Sequence, residues 1–234
     1  MKVFVLAGGE GTRLKPYTYN TPKPMLVLGG KPILEYVLQN IKKAGYNEVV
    51  LTVGYKHEQI QSYFEDGSRF GMNIEYAVEG ERLNTAGSIL PHKDKVDDTF
   101  AVVMGDHLTN LDLSDMFEHH KKSGAAATIA LFKDSIPLEY GVAHVENGSI
   151  RGFQEKPLLE KLYNTAIYIF EPEIFEHIQP KEDFAKNVIP RLLAENRKVS
   201  AYVFDDVWFD IGRVSDYERF SELFRVIKLV DDLQ

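Results

Sequence analysis

The sequence lacks cysteine altogether and contains a single tryptophan. Without cysteine the chain can form no disulfide, no thiolate nucleophile and no Cys-ligated zinc or iron–sulfur site. It also lacks any apolar run near the about 18 residues of a membrane-spanning helix. The apolar run at residues 3–6 is too short for the core of a signal peptide. We therefore expect a cytoplasmic protein that does not enter a membrane.

Basic residues are in the minority, with 27 Lys and Arg against 35 Asp and Glu, a formal net charge of -8. This balance argues against a general nucleic-acid binder, whose affinity comes from clustered positive charge. A local basic cleft for a phosphorylated small molecule remains compatible with it.

Hydrophobic residues make up 44% of the 234 residues, which indicates a globular chain with a sizeable core. One domain covering residues 1–234 is the expectation.

In the first half of the chain, short apolar segments alternate with segments of helical spacing. This alternation predicts a mostly parallel sheet with helices on both faces. The predicted strands cover residues 3–6, 48–53, 73–78 and 100–104, and the predicted helices begin at Pro32, at His57 and after Thr85.

After about residue 125 strands follow one another with little helix between them. We predict that this half continues the same sheet and adds a lobe. The predicted strands cover residues 126–131, 142–145, 150–154 and 163–170.

Two local patterns predict helix details. Ser215 to Glu218 fits a capping box that opens a last helix with Tyr217, Phe220, Leu223, Phe224 and Ile227 on one face. His119 and His120 precede two lysines and are expected on a solvated helix face.

The strongest motif is the glycine-rich segment Leu6-Ala7-Gly8-Gly9-Glu10-Gly11-Thr12-Arg13-Leu14, followed by Pro22-Lys23-Pro24-Met25. A strand that ends in glycines lets the backbone approach a phosphate and directs N–H groups at it. Arg13 can add a bidentate contact and Lys23 a point charge. The segment therefore predicts a phosphate-binding loop, with an ordinary strand-to-helix turn as the alternative.

Two familiar phosphate loops do not fit this segment. A dinucleotide fingerprint requires a third glycine where Leu14 stands, and a P-loop requires Gly-Lys-Ser/Thr where the chain has Gly11-Thr12-Arg13.

Two aspartates are candidate metal ligands. Asp106 follows the most apolar predicted strand, at the sheet edge where open α/β proteins bind ligands, and Asp210 lies in Trp208-Phe209-Asp210-Ile211-Gly212. If the two converge, their oxygens could hold Mg²⁺. For Asp106 alone, a turn or N-cap role is the alternative. His107, beside Asp106, is expected to be structural or a peripheral contact.

These motifs, together with Glu155-Lys156-Pro157, resemble the sugar-phosphate nucleotidylyltransferases, or NDP-sugar pyrophosphorylases. The closest resemblance is to mannose-1-phosphate guanylyltransferase-like enzymes without the C-terminal β-helix. It implies a Rossmann-like, three-layer α/β/α nucleotide-diphospho-sugar transferase fold. Residues 1–124 would mainly bind the nucleotide and residues 125–234 mainly the sugar phosphate. Neither acyltransferase activity nor trimerisation through a β-helix is expected.

The resemblance also implies residue roles. Asp106 and Asp210 would bind Mg²⁺, Arg13 the pyrophosphate portion of the NTP, and Lys23 phosphate at the transfer centre. Lys156 would anchor the sugar phosphate and Glu155 the sugar hydroxyls. The other expected nucleotide contacts are Leu6, Ala7, Gly8, Gly9, Gly11, Thr12, Glu79, Asn84 and Thr85. The other expected sugar contacts are Tyr140, Gly141 and Asn164.

The chain departs from the family pattern at two glycine positions. Asn84 replaces a glycine in the loop that ends Thr85-Ala86-Gly87, and Asn tolerates the left-handed backbone conformation better than most residues. Ala166 replaces a glycine in the segment after Asn164, which weakens the expectation of a backbone contact to the sugar there.

Glu79 is the residue from which we predict which nucleobase the protein prefers. Relatives that read uracil or thymine often have Gln at this position, which both donates and accepts, whereas a carboxylate only accepts. Guanine offers two adjacent N–H donors, so we expect GTP, with mannose 1-phosphate as the partner. The alternatives are that Glu79 is exposed and unrelated to the base, and that the chain is a glucose-1-phosphate thymidylyl- or uridylyltransferase.

Two further functions were weighed. A transferase with a non-sugar acceptor should lack Glu155-Lys156-Pro157 and Asn164, and a non-catalytic NDP-sugar-binding regulator should have lost Arg13, Lys23 or an aspartate. All of these residues are present. The expected partners are an NTP and a sugar 1-phosphate, without nucleic acid or membrane, and a homo-oligomer stays open.

Overall fold

A computed structural model describes residues 1–231, with side chains as far as Arg225. The strands are β1 Lys2–Ala7, β2 Val27–Leu28, β3 Lys31–Pro32, β4 Glu48–Val53, β5 Asn73–Val78, β6 Phe100–Met104, β7 His107–Thr109, β8 Ala127–Pro137, β9 Val142–Glu146, β10 Ser149–Gln154, β11 Leu158–Phe170, β12 Val199–Phe204 and β13 Trp208–Asp210. The α-helices are α1 Ile33–Lys43, α2 His57–Phe64, α3 Asn84–Gly87, α4 Leu113–Ser123, α5 Ile189–Ala194 and α6 Val214–Asp231. No helix in this part of the chain is long and apolar enough to cross a membrane.

The central sheet is mostly parallel, as the sequence predicted. Its strand order is β12-β8-β11-β6-β1-β4-β5. β1 pairs in parallel with both β4 and β6, whereas β11 runs antiparallel to β6 and β8. The four strands predicted in the first half, β1, β4, β5 and β6, lie within about a residue of their predicted bounds. The short strands β2, β3 and β7 were not predicted.

Both faces of the sheet are covered, which gives the predicted three layers. On β1, Val3 and Val5 belong to a core with residues of α1, α2 and α4, and Phe4 belongs to a second core on the opposite face. That second core includes Phe184 and the α5 residue Leu192. The alternation of side chains along β1 therefore supplies one apolar residue to each layer in turn.

The carboxyl ends of β1 and β6 lie side by side. Leu6 is in register with Met104, and the Gly105 N–H donates to the Leu6 carbonyl over 2.9 Å. The loop that begins at Gly8 and the turn at Asp106 therefore leave the sheet at the same edge, where open α/β sheets place their ligands.

The second half joins the same sheet through β8, β11 and β12. β9 and β10 form a separate two-stranded sheet, which is the added lobe. β8 and β11 are longer than predicted because they continue past the sheet as an exposed ribbon, in which Leu158 pairs with Pro137.

Two of the local predictions are wrong. The last helix begins at Val214, and the Asp216 carboxylate accepts the Arg213 N–H over 2.9 Å, so Ser215 lies inside the helix. Leu223 is exposed, while Tyr217, Phe220 and Phe224 pack in a core with Leu14 and Ile33. The Ile227 side chain lies outside the described residues.

The second wrong prediction concerns α4. His120 is 1% exposed rather than solvated. Its ring contacts the Thr128 hydroxyl at 2.7 Å and the Glu171 carboxylate at 3.3 Å, and these partners allow a polar ring to be buried.

Candidate active site

The glycine-rich loop requires glycine at position 11. Gly11 has φ of +62°, and a methyl group there would lie 3.0 Å from both Lys23 and Thr18. The Thr18 hydroxyl donates to the Gly11 carbonyl over 2.8 Å, which holds the loop closed. The absence of a side chain at Gly11 therefore lets Lys23 pack directly beneath the loop.

Lys23 joins the two aspartates singled out in the sequence. Its Nζ lies 2.5 Å from Asp106 Oδ2 and 3.4 Å from Asp210 Oδ1, and its side chain is only 9% exposed. Asp106 follows β6, and Asp210 ends β13, which pairs with β7 so that Asp210 faces His107. Lys23 therefore lies between the two carboxylates, which meets the condition that the sequence analysis set for a shared metal site.

His107 also contacts both carboxylates. Its Nε2 lies 3.4 Å from Asp210 Oδ1 and 3.7 Å from Asp106 Oδ1, and its Nδ1 lies 3.0 Å from the Thr165 carbonyl. Sequence reasoning placed His107 beside Asp106 but did not foresee this bridge, because the pairing of β7 with β13 has no local sequence signal.

Opposite charges in this cluster shift the pKa values of Asp210 and His107 toward their charged forms. The His107 ring and the Lys23 ammonium hold the pKa of the Asp210 carboxyl well below its usual range. Burial lowers the pKa of His107, but the neighbouring Asp210 and Asp106 outweigh burial and raise it overall. The cluster therefore favours the charged form of Asp210, and Lys23 lies within ion-pair distance of both carboxylates.

The two carboxylates fit Mg²⁺. Asp106 Oδ1 is buried and has no hydrogen-bond partner among the described residues, which leaves a charged oxygen free to meet a cation. Among the side chains that the structure describes, as far as Arg225, no group of three or more His, Asp or Glu is arranged to hold a metal. Mg²⁺ bound by one or two carboxylates together with substrate phosphates needs no such group.

Arg13 lies at the edge of this cluster. A methyl group on Gly212 would come 3.2 Å from the Asp210 carboxylate and 3.5 Å from the Arg13 guanidinium. Arg13 is exposed, so its guanidinium borders the carboxylate pair while facing solvent. This position suits contact with an anion that approaches over the glycine-rich loop.

On the other side of the loop, Glu79 lies against Gly8. A methyl group on Gly8 would come 3.3 Å from a Glu79 carboxylate oxygen. Glu79 follows β5, where its N–H donates to the Val53 carbonyl over 2.8 Å. Burial raises the pKa of the Glu79 carboxyl, so its charge is incompletely compensated by the protein.

The loop at Asn84 keeps the turn expected of a glycine. Asn84 has φ of +60°, and its Nδ2 donates to the Lys181 carbonyl over 2.8 Å. The Thr85 hydroxyl accepts the Phe184 N–H over 2.9 Å. The segment 181–184 therefore holds this loop, and sequence reasoning missed it because the contact joins distant parts of the chain.

The predicted sugar-side residues Gly141 and Glu155 come together. A methyl group on Gly141 would lie 2.5 Å from the Phe153 ring and 2.8 Å from Glu155 Oε2, so a larger residue there would displace these two exposed side chains. Tyr140 is 80% exposed and Lys156 is exposed with φ of +44°. Both side chains are therefore accessible to a ligand from solvent.

Asn164 lies at an irregularity in β11, where the register with β8 shifts between Asn164 and Tyr168. Its Oδ1 accepts the Ala166 N–H over 2.9 Å, and its Nδ2 donates to the Tyr168 hydroxyl over 3.0 Å. Ala166 has φ of +56°, so it adopts the conformation that a glycine takes without strain.

Comparison with known proteins adds to this geometry. Over 93% of this chain, a UTP–glucose-1-phosphate uridylyltransferase from Synechocystis sp. is 38% identical, and a mannose-1-phosphate guanylyltransferase from Mycobacterium tuberculosis is 35% identical. The chain spans 61% and 62% of the length of these two relatives.

A solved structure shares the fold. HddC from Yersinia pseudotuberculosis, crystallised with GMP-PN, superposes with a TM-score of 0.76 at 24% identity, over 95% of this chain and 99% of that one. The family model described as nucleotidyl transferase matches residues 2–225. The chain therefore belongs to the nucleotidyl transferase family.

Proposed function

We propose that the protein transfers a nucleotidyl group from an NTP to a sugar 1-phosphate. The observation that carries the proposal is the cluster of Lys23, Asp106 and Asp210 at the mouth of the glycine-rich loop. In the reaction, a phosphate oxygen of the sugar 1-phosphate forms a bond to the α-phosphorus of the NTP. The bond between the α-phosphorus and its bridging oxygen breaks, and pyrophosphate leaves. No covalent intermediate with the protein is required.

The residues on the nucleotide side contribute positioning and charge. Loop N–H groups at Gly8 to Gly11 and the Arg13 guanidinium bind the triphosphate, and Lys23 meets phosphate at the transfer centre. Asp106 and Asp210 hold Mg²⁺, which supplies neutralisation of phosphate charge when bound. Because these charges are already in position before the reaction, the protein does not need to rearrange during it.

On the sugar side, Lys156 meets the phosphate of the acceptor, and Glu155 accepts hydrogen bonds from sugar hydroxyls. Lys156 and Tyr140 are exposed, so a ligand can reach both side chains from solvent. Gly141 permits Glu155 to approach because it lacks a side chain. Asn164 lies in the irregular part of β11, where Ala166 and Tyr168 hold its amide in a fixed orientation.

For the base we propose guanine, with mannose 1-phosphate as the partner. Glu79 lies against Gly8 and burial raises its pKa, so two N–H donors from a ligand would stabilise its charged form. Guanine supplies these donors at N1 and N2. Uracil and thymine would place carbonyl oxygens opposite the carboxylate and leave a partly buried charge unpaired.

A second candidate is uridylyl or thymidylyl transfer to glucose 1-phosphate. It is favoured by the 38% identity to the Synechocystis uridylyltransferase. A non-catalytic NDP-sugar-binding regulator is the third, and it is opposed by the presence of Arg13, Lys23 and both aspartates.

A panel assay separates these candidates. Four NTPs are tested against mannose, glucose, heptose and N-acetylglucosamine 1-phosphates, with pyrophosphate release as the readout. We expect the highest kcat/KM with GTP and mannose 1-phosphate. Glu79→Gln should lower activity with GTP and raise relative activity with UTP or dTTP. A wild-type preference for UTP or dTTP that Glu79→Gln leaves unchanged would refute the base assignment, and no turnover with any pair would favour the regulator.

A further inference from the structure

The two ring nitrogens of His107 reach two different parts of the site. Nε2 faces the carboxylates of Asp210 and Asp106 at 3.4 and 3.7 Å, and Nδ1 faces the Thr165 carbonyl at 3.0 Å. Thr165 directly follows Asn164, the residue expected to contact the sugar. One side chain, only 12% exposed, therefore spans the distance between the carboxylate pair and the sugar side.

The Thr165 carbonyl lies in the part of β11 that is out of register with β8. Regular pairing stops at Asn164 and resumes at Tyr168. Thr165 is fully buried, and its hydroxyl donates to the Ala130 carbonyl over 2.8 Å. A buried carbonyl without a hydrogen-bond partner is unfavourable, so the His107 contact contributes to holding this irregular segment in place.

The orientation of the ring follows from its neighbours. A carbonyl oxygen only accepts, so Nδ1 carries the proton that is shared with Thr165. Nε2 is then directed at the two carboxylates. The Trp208 ring packs edge-on against the imidazole with 5.6 Å between ring centroids, which limits rotation of the ring.

We propose that His107 is a positioning residue that fixes the sugar-side segment Asn164–Ala166 relative to Asp106 and Asp210. The inference rests on the proposed function, because its consequence is the alignment of the sugar 1-phosphate oxygen with the α-phosphate. His107 itself touches neither substrate. Its loss leaves the ligating groups present but allows the two halves of the site to move relative to each other.

Three variants of His107 separate its two contacts. His107→Asn keeps a hydrogen-bond donor near the Nδ1 position, and His107→Gln keeps one near the Nε2 position. His107→Phe keeps an aromatic ring but removes both donors. His119→Phe is the matched control, because the His119 ring has a polar contact of its own at 3.0 Å, to the Ser200 hydroxyl, outside the site.

Two readouts are measured on folded protein, checked by circular dichroism. One is the KM for each substrate, and the other is Mn²⁺ affinity by calorimetry without substrates. We expect His107→Phe to raise the KM for the sugar 1-phosphate about tenfold and to weaken Mn²⁺ binding, with little effect on the KM for the NTP. His107→Asn should recover most of the sugar KM, and His107→Gln most of the Mn²⁺ affinity. If His107→Phe does not fold, the Asn and Gln variants make the same comparison.

A double-mutant cycle with Asn164→Ala tests the connection itself. The loss caused by Asn164→Ala should be much smaller in the His107→Phe background, because Asn164 is then already misplaced. Additive effects, or a His107→Phe variant with unchanged sugar KM and Mn²⁺ affinity in an active enzyme, would overturn the positioning role. A wild-type protein that transfers no nucleotidyl group would instead refute the proposed function.

Discussion

The ammonium group of Lys23 lies 2.5 Å from the carboxylate of Asp106. This contact joins the segment that follows the glycine-rich loop to the carboxyl end of the central strand β6. It therefore ties the proposed phosphate-binding loop to the proposed metal ligand, and any change at Asp106 acts on both.

Asp106→Asn and Asp210→Asn should each abolish most turnover while leaving the fold intact. Each removes a charge that neutralises phosphate through Mg²⁺, and loss of a comparable electrostatic contact costs about 10²–10³ in rate. The measurement is kcat at a series of Mg²⁺ concentrations, with thermal unfolding as the control for folding. An Asn variant with near-normal activity at limiting Mg²⁺ would show that its aspartate is not a metal ligand.

Arg13→Ala and Lys156→Ala should affect different substrates. Arg13 borders the carboxylate pair beside Gly212, so its loss should raise the KM for the NTP. Lys156 is exposed at the end of the β9–β10 lobe, so its loss should raise the KM for the sugar 1-phosphate. Initial-rate kinetics with each substrate varied in turn checks this. Equal effects of both variants on both substrates would show that the two sides are assigned incorrectly.

Ala166→Gly should stabilise the protein. Ala166 has φ of +56°, a conformation that costs an L-residue about 1–2 kcal/mol and glycine almost nothing. After the entropy cost of glycine, the gain should be about 0.5–1 kcal/mol in the free energy of unfolding, measured by denaturant titration. Ala130→Gly, in the buried part of the neighbouring strand β8, is the control and should destabilise. A destabilised Ala166→Gly protein would contradict this reading of the backbone.

The free energy of unfolding should decrease as the pH falls below the pKa of an ordinary histidine. Burial lowers the pKa of His120 by more than Glu171 raises it, so the folded protein binds this proton less readily than the unfolded chain. Unfolded histidine titrates near about pH 6.5, so the contribution is complete above that pH and is lost as the pH decreases through it. His120→Asn should show a shallower fall in the free energy of unfolding between pH 7.5 and 5.5.

His119→Asn is the matched control for that experiment, because His119 is the adjacent residue on α4 and is less buried. It measures how much of any change in slope comes from replacing a histidine of α4 with asparagine. Identical slopes for wild type and His120→Asn would contradict the assignment.

Much of the fold was predictable because its signals are local. The apolar runs of β1, β4 and β6, the alternating pattern of β5 and the glycines after β1 are each contiguous in the sequence, so their strand and loop identities follow directly. The long ribbon formed by β8 and β11 was underestimated, since its outer residues are exposed and carry no strong alternation.

The site was predictable to the extent that its residues lie at the ends of strands. Asp106 and Lys23 belong to contiguous motifs, whereas Asp210 reaches them through the pairing of β13 with β7, which has no local sequence signal. The bridge through His107 and the support of Thr85 by Phe184 could not be predicted. Both depend on contacts between segments far apart in the chain. His120 was misjudged because its partners, Thr128 on β8 and Glu171 just after β11, lie outside α4.

The central claim is nucleotidyl transfer to a sugar 1-phosphate, and ³¹P NMR of one reaction tests it directly. Purified protein is incubated with GTP, mannose 1-phosphate and Mg²⁺, with the Asp106→Asn protein in parallel. The account predicts that the signals of GTP and of the sugar monophosphate decline together while pyrophosphate and a sugar diphosphate diester grow in equal amounts, and only with the wild type. Orthophosphate or GMP in place of the diester, or no reaction with this or any other NTP and sugar 1-phosphate pair, would contradict it.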